Sequence, residues 1–268
     1  MRNPIKSVLT ECSILAITKE RLVSVHISDK GCYPVNCFSQ TGQHHIADKL
    51  PCEDVYITRY EGPFHFFGLA DGQSGKRFCA IGGKEVLAAI AQYIKDKTIP
   101  QLSHYEYIDE LQYELIRVIR NTLSKLSEEH HADLSEFSST IIAVAVDANT
   151  NDYLIIHLGD GSVVGINGEN STIMLSAPDN GITSKYTWLT TSTDAMKHLR
   201  IYKGSIENLK RIVLLTDGAT MLCRGRNVAK KAEHILCDLD APDNISKEIR
   251  QGDPLDDASC VVVDLGSI

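Results

Sequence analysis

Tryptophan is nearly absent from this 268-residue chain, which has one, and aromatic residues make up only 6% of it. Also missing is any uncharged apolar run of the about eighteen residues that a membrane-crossing helix needs, so no membrane partner is expected. The opening stretch, MRNPIKSVLTECSILAITKERL, has its apolar part broken by Glu11 and carries no small-residue cleavage site, unlike an export signal. A cytoplasmic location is the expectation. Positive charge is scarce too: 27 Lys and Arg face 35 Asp and Glu, for a formal net charge of -8. That balance disfavours a broad surface for DNA or RNA, and no nucleic-acid partner is expected.

Several nucleophile motifs are missing. No Cys-x5-Arg loop, Gly-x-Ser-x-Gly elbow or P-loop lysine motif occurs, so thiol, serine-elbow and P-loop chemistries are not indicated. Tight cysteine pairs are missing as well. The eight cysteines lie in a long chain without an export signal and read as free thiols. Cys32, Cys37, His44, His45 and Cys52 fall within twenty-one residues, with gaps of four, six and six that match no C-x2-C pair. Buried or half-buried thiols in a loop are expected there rather than zinc. His44, His45, His130 and His131 are read as exposed loop residues without a role. No repeat, low-complexity tract or Gly/Ser-rich linker appears, which predicts one domain over 1–268 with its motif-bearing core at 40–265 and residues 1–20 unassigned.

What is present is an ordinary folded composition, 43% hydrophobic and 23% charged. Short β-branched and aromatic runs predict strands at 22–27, 55–60 and 64–70, where Phe64, Phe66 and Phe67 read as core. The period then changes. Apolar residues recur at three- and four-residue steps from Lys84 to Lys95, and again at Leu111, Leu115, Val118, Ile119, Thr122 and Leu126, predicting two paired helices. STIIAVAVD, DYLIIHLGDGSVVGI and STIML return to strand character, the middle piece reading as a hairpin closed on Asp160-Gly161. Residues 176–210 form a long polar excursion with a brief helical patch at 196–199, a flap-like feature of the kind that often carries function. A strand RIVLL follows, then helical stretches at 219–223, 228–237 and 245–249, and a last strand SCVVVDL. This block order predicts an α+β architecture with sheets inside and helices outside.

Three apolar runs end in aspartate followed by glycine: Asp71-Gly72, Asp160-Gly161 and Asp217-Gly218. Glu53 and Asp54 precede the strand VYITRY, and Asp256 and Asp257 precede ASCVVVDL. Gathered at one sheet edge, that many carboxylates would repel one another and shift each other's pKa values. Divalent cations resolve the conflict, and oxygen-only ligands suit Mg²⁺ or Mn²⁺.

These residues resemble the metal-dependent serine/threonine protein phosphatases of the PPM, or type 2C, class. KLPCEDVYI is similar to the family's basic residue followed by Glu-Asp, FFGLADGQSG to its first Asp-Gly segment, and FSSTIIAVAV to its Gly-Ser-Thr strand. HLGDGSVVGI resembles the Val-Gly-Asp-Ser hairpin, RIVLLTDGATML the later Asp-Gly motif, and DDASCVVVDL the closing Asp-Asn motif. The matches keep their order over roughly 40 to 265.

The resemblance implies a four-layer sandwich, two antiparallel β-sheets flanked by antiparallel helix pairs. It implies two Mg²⁺ or Mn²⁺ ions, with Asp71 bridging them. Glu53 and the Gly72 carbonyl would complete one ion and Asp217 and Asp256 the other, with a looser third ion at Asp160. Asp54 would orient bound water, Lys49 would meet the substrate phosphate, and the substrate would be a phosphorylated protein. Three positions depart from the family pattern: Lys49 stands for an arginine, Gln73 for a histidine that protonates the leaving group, and Asp257 for an asparagine. Two other readings stay open: a non-catalytic sensor or scaffold stabilised by ions, and a small-molecule phosphomonoesterase.

Overall fold

The computed structural model describes residues 11–12, 22–27, 32–97, 108–180, 186–223 and 254–266. Twelve strands are described: β1 (Glu11–Cys12), β2 (Leu22–Ile27), β3 (Val35–Gln40), β4 (Val55–Glu61), β5 (Phe64–Ala70) and β6 (Ile141–Asp147), then β7 (Asp152–Leu158), β8 (Ser162–Asn167), β9 (Thr172–Ser176), β10 (Arg200–Ser205), β11 (Leu209–Leu215) and β12 (Ala258–Asp264). Five helices accompany them: α1 (Gln43–Asp48), α2 (Cys79–Lys97), α3 (Ile108–His130), α4 (Ala195–His198) and α5 (Asp217–Cys223). The strands form two antiparallel sheets, ordered β1-β4-β5-β6-β7-β10 and β2-β3-β12-β11-β8-β9. The architecture is an α+β sandwich.

Alternation along β5 shows how the layers arise, because successive side chains of a strand face opposite ways. Phe64, Phe66 and Ala70 face α2 and α3, while Phe67 and Leu69 enter the space between the two sheets. Strand β6 divides likewise, with Ile141, Ala143 and Ala145 toward the helices and Ile142, Val144 and Val146 toward the second sheet. The three phenylalanines are core, as expected. On α2 the buried residues Val86, Leu87, Ile90 and Ile94 form the predicted stripe. On α3 the stripe runs through Leu111, Leu115, Ile116, Ile119, Leu123 and Leu126, with Ile116 and Leu123 in place of the half-buried Val118 and Thr122. The outer face of the second sheet carries Phe38, Val213 and Val262, met by Ala219 of α5. The helical stretches expected at 228–237 and 245–249 lie outside the described residues.

Four expectations change. Residues 35–40 form β3, between β2 and β12 in the second sheet, where a loop was expected; strong burial on both faces outweighs its polar-looking sequence. Residues 43–48 form α1, and His45 on it is buried. The 176–210 excursion is not irregular throughout: its described part includes α4, at the patch expected to be helical, and β10, which pairs with β7 as an edge strand. Finally, β7 and β8 are not a hairpin. β7 pairs with β6 and β10 in one sheet, while β8 pairs with β11 and β9 in the other, so Asp160-Gly161 links the two sheets. The link has no room for a side chain: a Cβ on Gly161 would lie 2.4 Å from Ile142 Cδ1 and 2.6 Å from the Leu215 carbonyl oxygen.

Candidate metal centre

Strand ends place the acidic residues. Asp71 follows β5, and its backbone is fastened to the segment that enters β6. Its N–H donates to Thr140 Oγ1 at 3.0 Å and its carbonyl accepts the Thr140 N–H at 2.8 Å. The Gln73 N–H continues the attachment to the Ser138 carbonyl at 2.9 Å. Asp217 follows β11 and begins α5. Asp256 precedes β12 on a turn squeezed between two glycines. A Cβ on Gly42 would lie 2.3 Å from the Asp256 carbonyl carbon, and one on Gly218 would lie 2.0 Å from the Asp257 carbonyl oxygen. Only glycine permits backbones to approach this closely.

Asp71, Gly72, Asp160, Asp217 and Asp256 line one cavity of about 520 Å³. Its remaining wall comes from Gln73, Ser74 and Thr140 on one side and from Tyr186, Thr187 and Leu189 of the irregular excursion on the other. That excursion is docked through Thr190, whose N–H donates to the Ser139 carbonyl at 2.9 Å and whose Oγ1 accepts the Ser139 N–H at 3.2 Å. Among the described residues no lysine or arginine lines the cavity. Lys49 is exposed at the C-terminal end of α1, with a left-handed backbone (φ 59°), and is not part of the wall. Arg77 packs over the Phe78 ring.

Electrostatics follow from this crowding. Burial pushes the Asp71 carboxyl well above its ordinary range, and the neighbouring Asp54, Asp217 and Asp256 push it further; Asp217 is within hydrogen-bonding contact. Asp54, 1% exposed, is raised by burial and then by Asp257, Asp217 and Asp256. Burial is also the largest cause for Asp160, pushed up to about 6, for Glu53, pushed up to about 7, and for the raised Asp256.

The donor chemistry fits divalent cations. Asp54 Oδ1 and Asp217 Oδ1 are buried without a hydrogen-bond partner, and Glu53 Oε2 is too, although His45 Nε2 faces it at 3.6 Å. Such oxygens are costly unless a proton or a cation meets them. An all-oxygen set suits Mg²⁺ or Mn²⁺. Among the described residues no three acidic, histidine or cysteine side chains form a ready-made metal cage by themselves; the carboxylates line a pocket.

A family model described as protein phosphatase 2C matches residues 41–262. The chain belongs to this family. No curated protein matches it in sequence. Among solved structures, a bacterial serine phosphatase is 14% identical with a TM-score of 0.67, covering 87% of this chain and 98% of its own. Serine/threonine phosphatase Stp1 from Staphylococcus aureus is likewise 14% identical with a TM-score of 0.67, covering 91% and 99%. RsbX, solved in complex with magnesium, is 11% identical with a TM-score of 0.55, covering 90% and 99%. At these identities the likeness concerns the fold.

Within this phosphatase 2C fold, Glu53 and Asp54 sit behind the cavity wall, just before β4. Asp54 Oδ2 accepts from Thr216 Oγ1 at 3.2 Å, a partner that no sequence signal pointed to. Asp257 is not in the cavity wall, but its charge bears on the site, raising Asp54, Glu53 and Asp256. It is buried and turned away, accepting the Gly42 N–H at 2.8 Å and the Glu53 N–H at 2.5 Å, with His45 Nδ1 2.9 Å from Oδ2. His45, expected in an exposed loop, is pushed up to about 9, chiefly by the hydrogen bond to Asp257. No sequence signal pointed to this pairing. The Cys/His cluster disperses: Cys37 lies in the core between the sheets, Cys52 Sγ meets Ser39 Oγ at 3.1 Å, and His44 is exposed. His130 ends α3 against the Phe78 and Phe137 rings. Cys52 and Cys79 are free thiols, and burial pushes Cys79 up to about 12.

Proposed function

We propose that this chain is a Mg²⁺- or Mn²⁺-dependent phosphatase acting on phosphoserine or phosphothreonine in proteins. The observation that carries the reading is a cavity lined by four aspartates, with no lysine or arginine among the described residues of its wall. Among the described lining residues a phosphate dianion meets no positive side chain, so bound cations would supply the attraction, and the buried Asp54 Oδ1 and Asp217 Oδ1 have no other partner. Asp71, Asp217, Asp256 and the Gly72 carbonyl, with Glu53 behind them, would hold two ions, and Asp160 a third. Bound there, such ions supply Lewis acidity that activates a water and offsets charge on a phosphoryl group.

The chain's own residues have narrower tasks. Asp54, anchored by Thr216, orients water from behind the site. Gln73 and Ser74 offer neutral hydrogen-bond donors at the rim, and neither can act as a proton-donating acid at neutral pH. Tyr186 and Thr187 on the excursion face a substrate that enters. A thiol nucleophile is disfavoured, because a Cys79 thiol at about 12 is protonated at neutral pH. A cytoplasmic location and a single domain belong to the same proposal.

Hydrolysis of p-nitrophenyl phosphate with Mn²⁺, followed by phosphoserine and phosphothreonine peptides, tests it. Chelator, Asp71→Asn and Asp217→Asn are each expected to lower turnover at least about 100-fold. Full activity in either variant would refute the assignment. Binding of Mn²⁺ without any hydrolysis would support the sensor reading instead.

A further inference from the structure

The turn at Asp256-Asp257 ties together stretches that lie about two hundred residues apart. One Asp257 oxygen receives the Gly42 N–H and the other receives the Glu53 N–H, so a single buried carboxylate grips the loop before α1 and the residue before Asp54. His45 stands between two acids. Its Nδ1 is 2.9 Å from Asp257 Oδ2, and its Nε2 faces Glu53 Oε2 at 3.6 Å. Asp257 also donates its own N–H to Asp256 Oδ1 at 2.9 Å. Glu53 and Asp256, assigned above to different ions, are thereby joined through one side chain and its backbone.

We propose that His45 and Asp257 form a positioning clamp for the metal centre, in which Asp257 fixes the Glu53 backbone and His45, held by Asp257, aims the Glu53 carboxylate. The clamp rests on the metal-centre reading. Neither residue lines the cavity; both act through Glu53 and Asp256. A buried carboxylate left without its proton donors would relax toward water or another partner, and Glu53 would move with it. A histidine suits the place because its two ring nitrogens, on different sides of one rigid ring, reach two acids at once.

Mn²⁺ affinity, read from the electron paramagnetic resonance signal of free Mn²⁺, separates a positioning role from a structural one. His45→Asn keeps an N–H near the Nδ1 position and loses the Nε2 that faces Glu53. It is expected to raise the Mn²⁺ Kd about 10- to 100-fold, with the circular dichroism and the melting temperature in chelator unchanged. In an Asp257→Asn background the same substitution should change Kd less than about twofold, since residues of one network are not additive. Wild-type affinity in His45→Asn, an undiminished effect in that background, or a loss of affinity that only parallels lost apo stability overturns the clamp. Loss of native circular dichroism in His45→Asn also overturns it, as a structural role. Asp71→Asn measured alongside distinguishes the two claims: wild-type Mn²⁺ binding in that variant overturns the metal centre itself.

Discussion

Asp160 connects charge, fold and cation most directly. It is half-buried on the link between the sheets, and its carboxyl rises from 3.8 to about 6, first through burial and then through Asp217. At about 1.4 kcal/mol per pH unit, an upward shift of roughly two units means that ionising Asp160 in the metal-free protein costs about 3 kcal/mol. A carboxyl raised on folding binds its proton more tightly in the native state than in the unfolded one. Its contribution is therefore complete below about pH 4 and lost as pH rises through about 6. Asp160→Asn has no proton to lose. Urea unfolding in chelator at pH 4, 5, 6 and 7 should show wild type losing about 3 kcal/mol relative to Asp160→Asn across that range. For a chain of this size the corresponding gap in Tm is roughly 6 to 12 °C. Saturating Mn²⁺ should stabilise wild type more at pH 7 than at pH 5, and should do so less for the variant. Parallel stability curves for the two proteins in chelator would refute the reasoning, as would equal stabilisation by Mn²⁺.

His157 gives the opposite slope. Fully buried, it is pushed down to about 3, first by burial and then by Arg200, so the native state holds a neutral ring. Stability should fall as pH drops from about 6.5 toward 3, by up to about 1.4 kcal/mol per unit, and acid unfolding of His157→Asn should lack that slope. Leu87, buried against Gly68 of β5, should cost about 2–5 kcal/mol when changed to alanine, measured by urea unfolding. Gly218→Ala would put a methyl 2.0 Å from the Asp257 carbonyl oxygen; about 1–3 kcal/mol of stability should be lost, together with phosphatase turnover.

Much of the fold was legible because it depends on local periodicity. The alternation of FHFFGLA and IIAVAVD, and the three- and four-residue steps of α2 and α3, appear in the structure where the sequence puts them. Strand β3 and helix α1 were not legible: VNCFSQ is buried on both faces because Val35 and Cys37 pack into the core between the sheets while Phe38 packs on the outer side with Ala219, and QHHIAD gives no apolar stripe to read. The link at Asp160-Gly161 shows the limit plainly. Its flanking residues alternate as those of a hairpin do, and only the partners each strand finds, β6 and β10 for one and β11 and β9 for the other, separate them into two sheets.

By itself, the chain's order of residues determined which acids stand at strand ends, because an apolar run stopped by Asp-Gly has that meaning whatever surrounds it. Tertiary structure alone decided which of those acids share a cavity, that Lys49 stays outside it, and that Asp257 turns back to His45 and the Glu53 N–H. The physical reason is distance: repulsion, burial and hydrogen bonding act over a few ångströms, and residues such as Gly42, His45, Glu53 and Asp257 come within that range only once both sheets have closed.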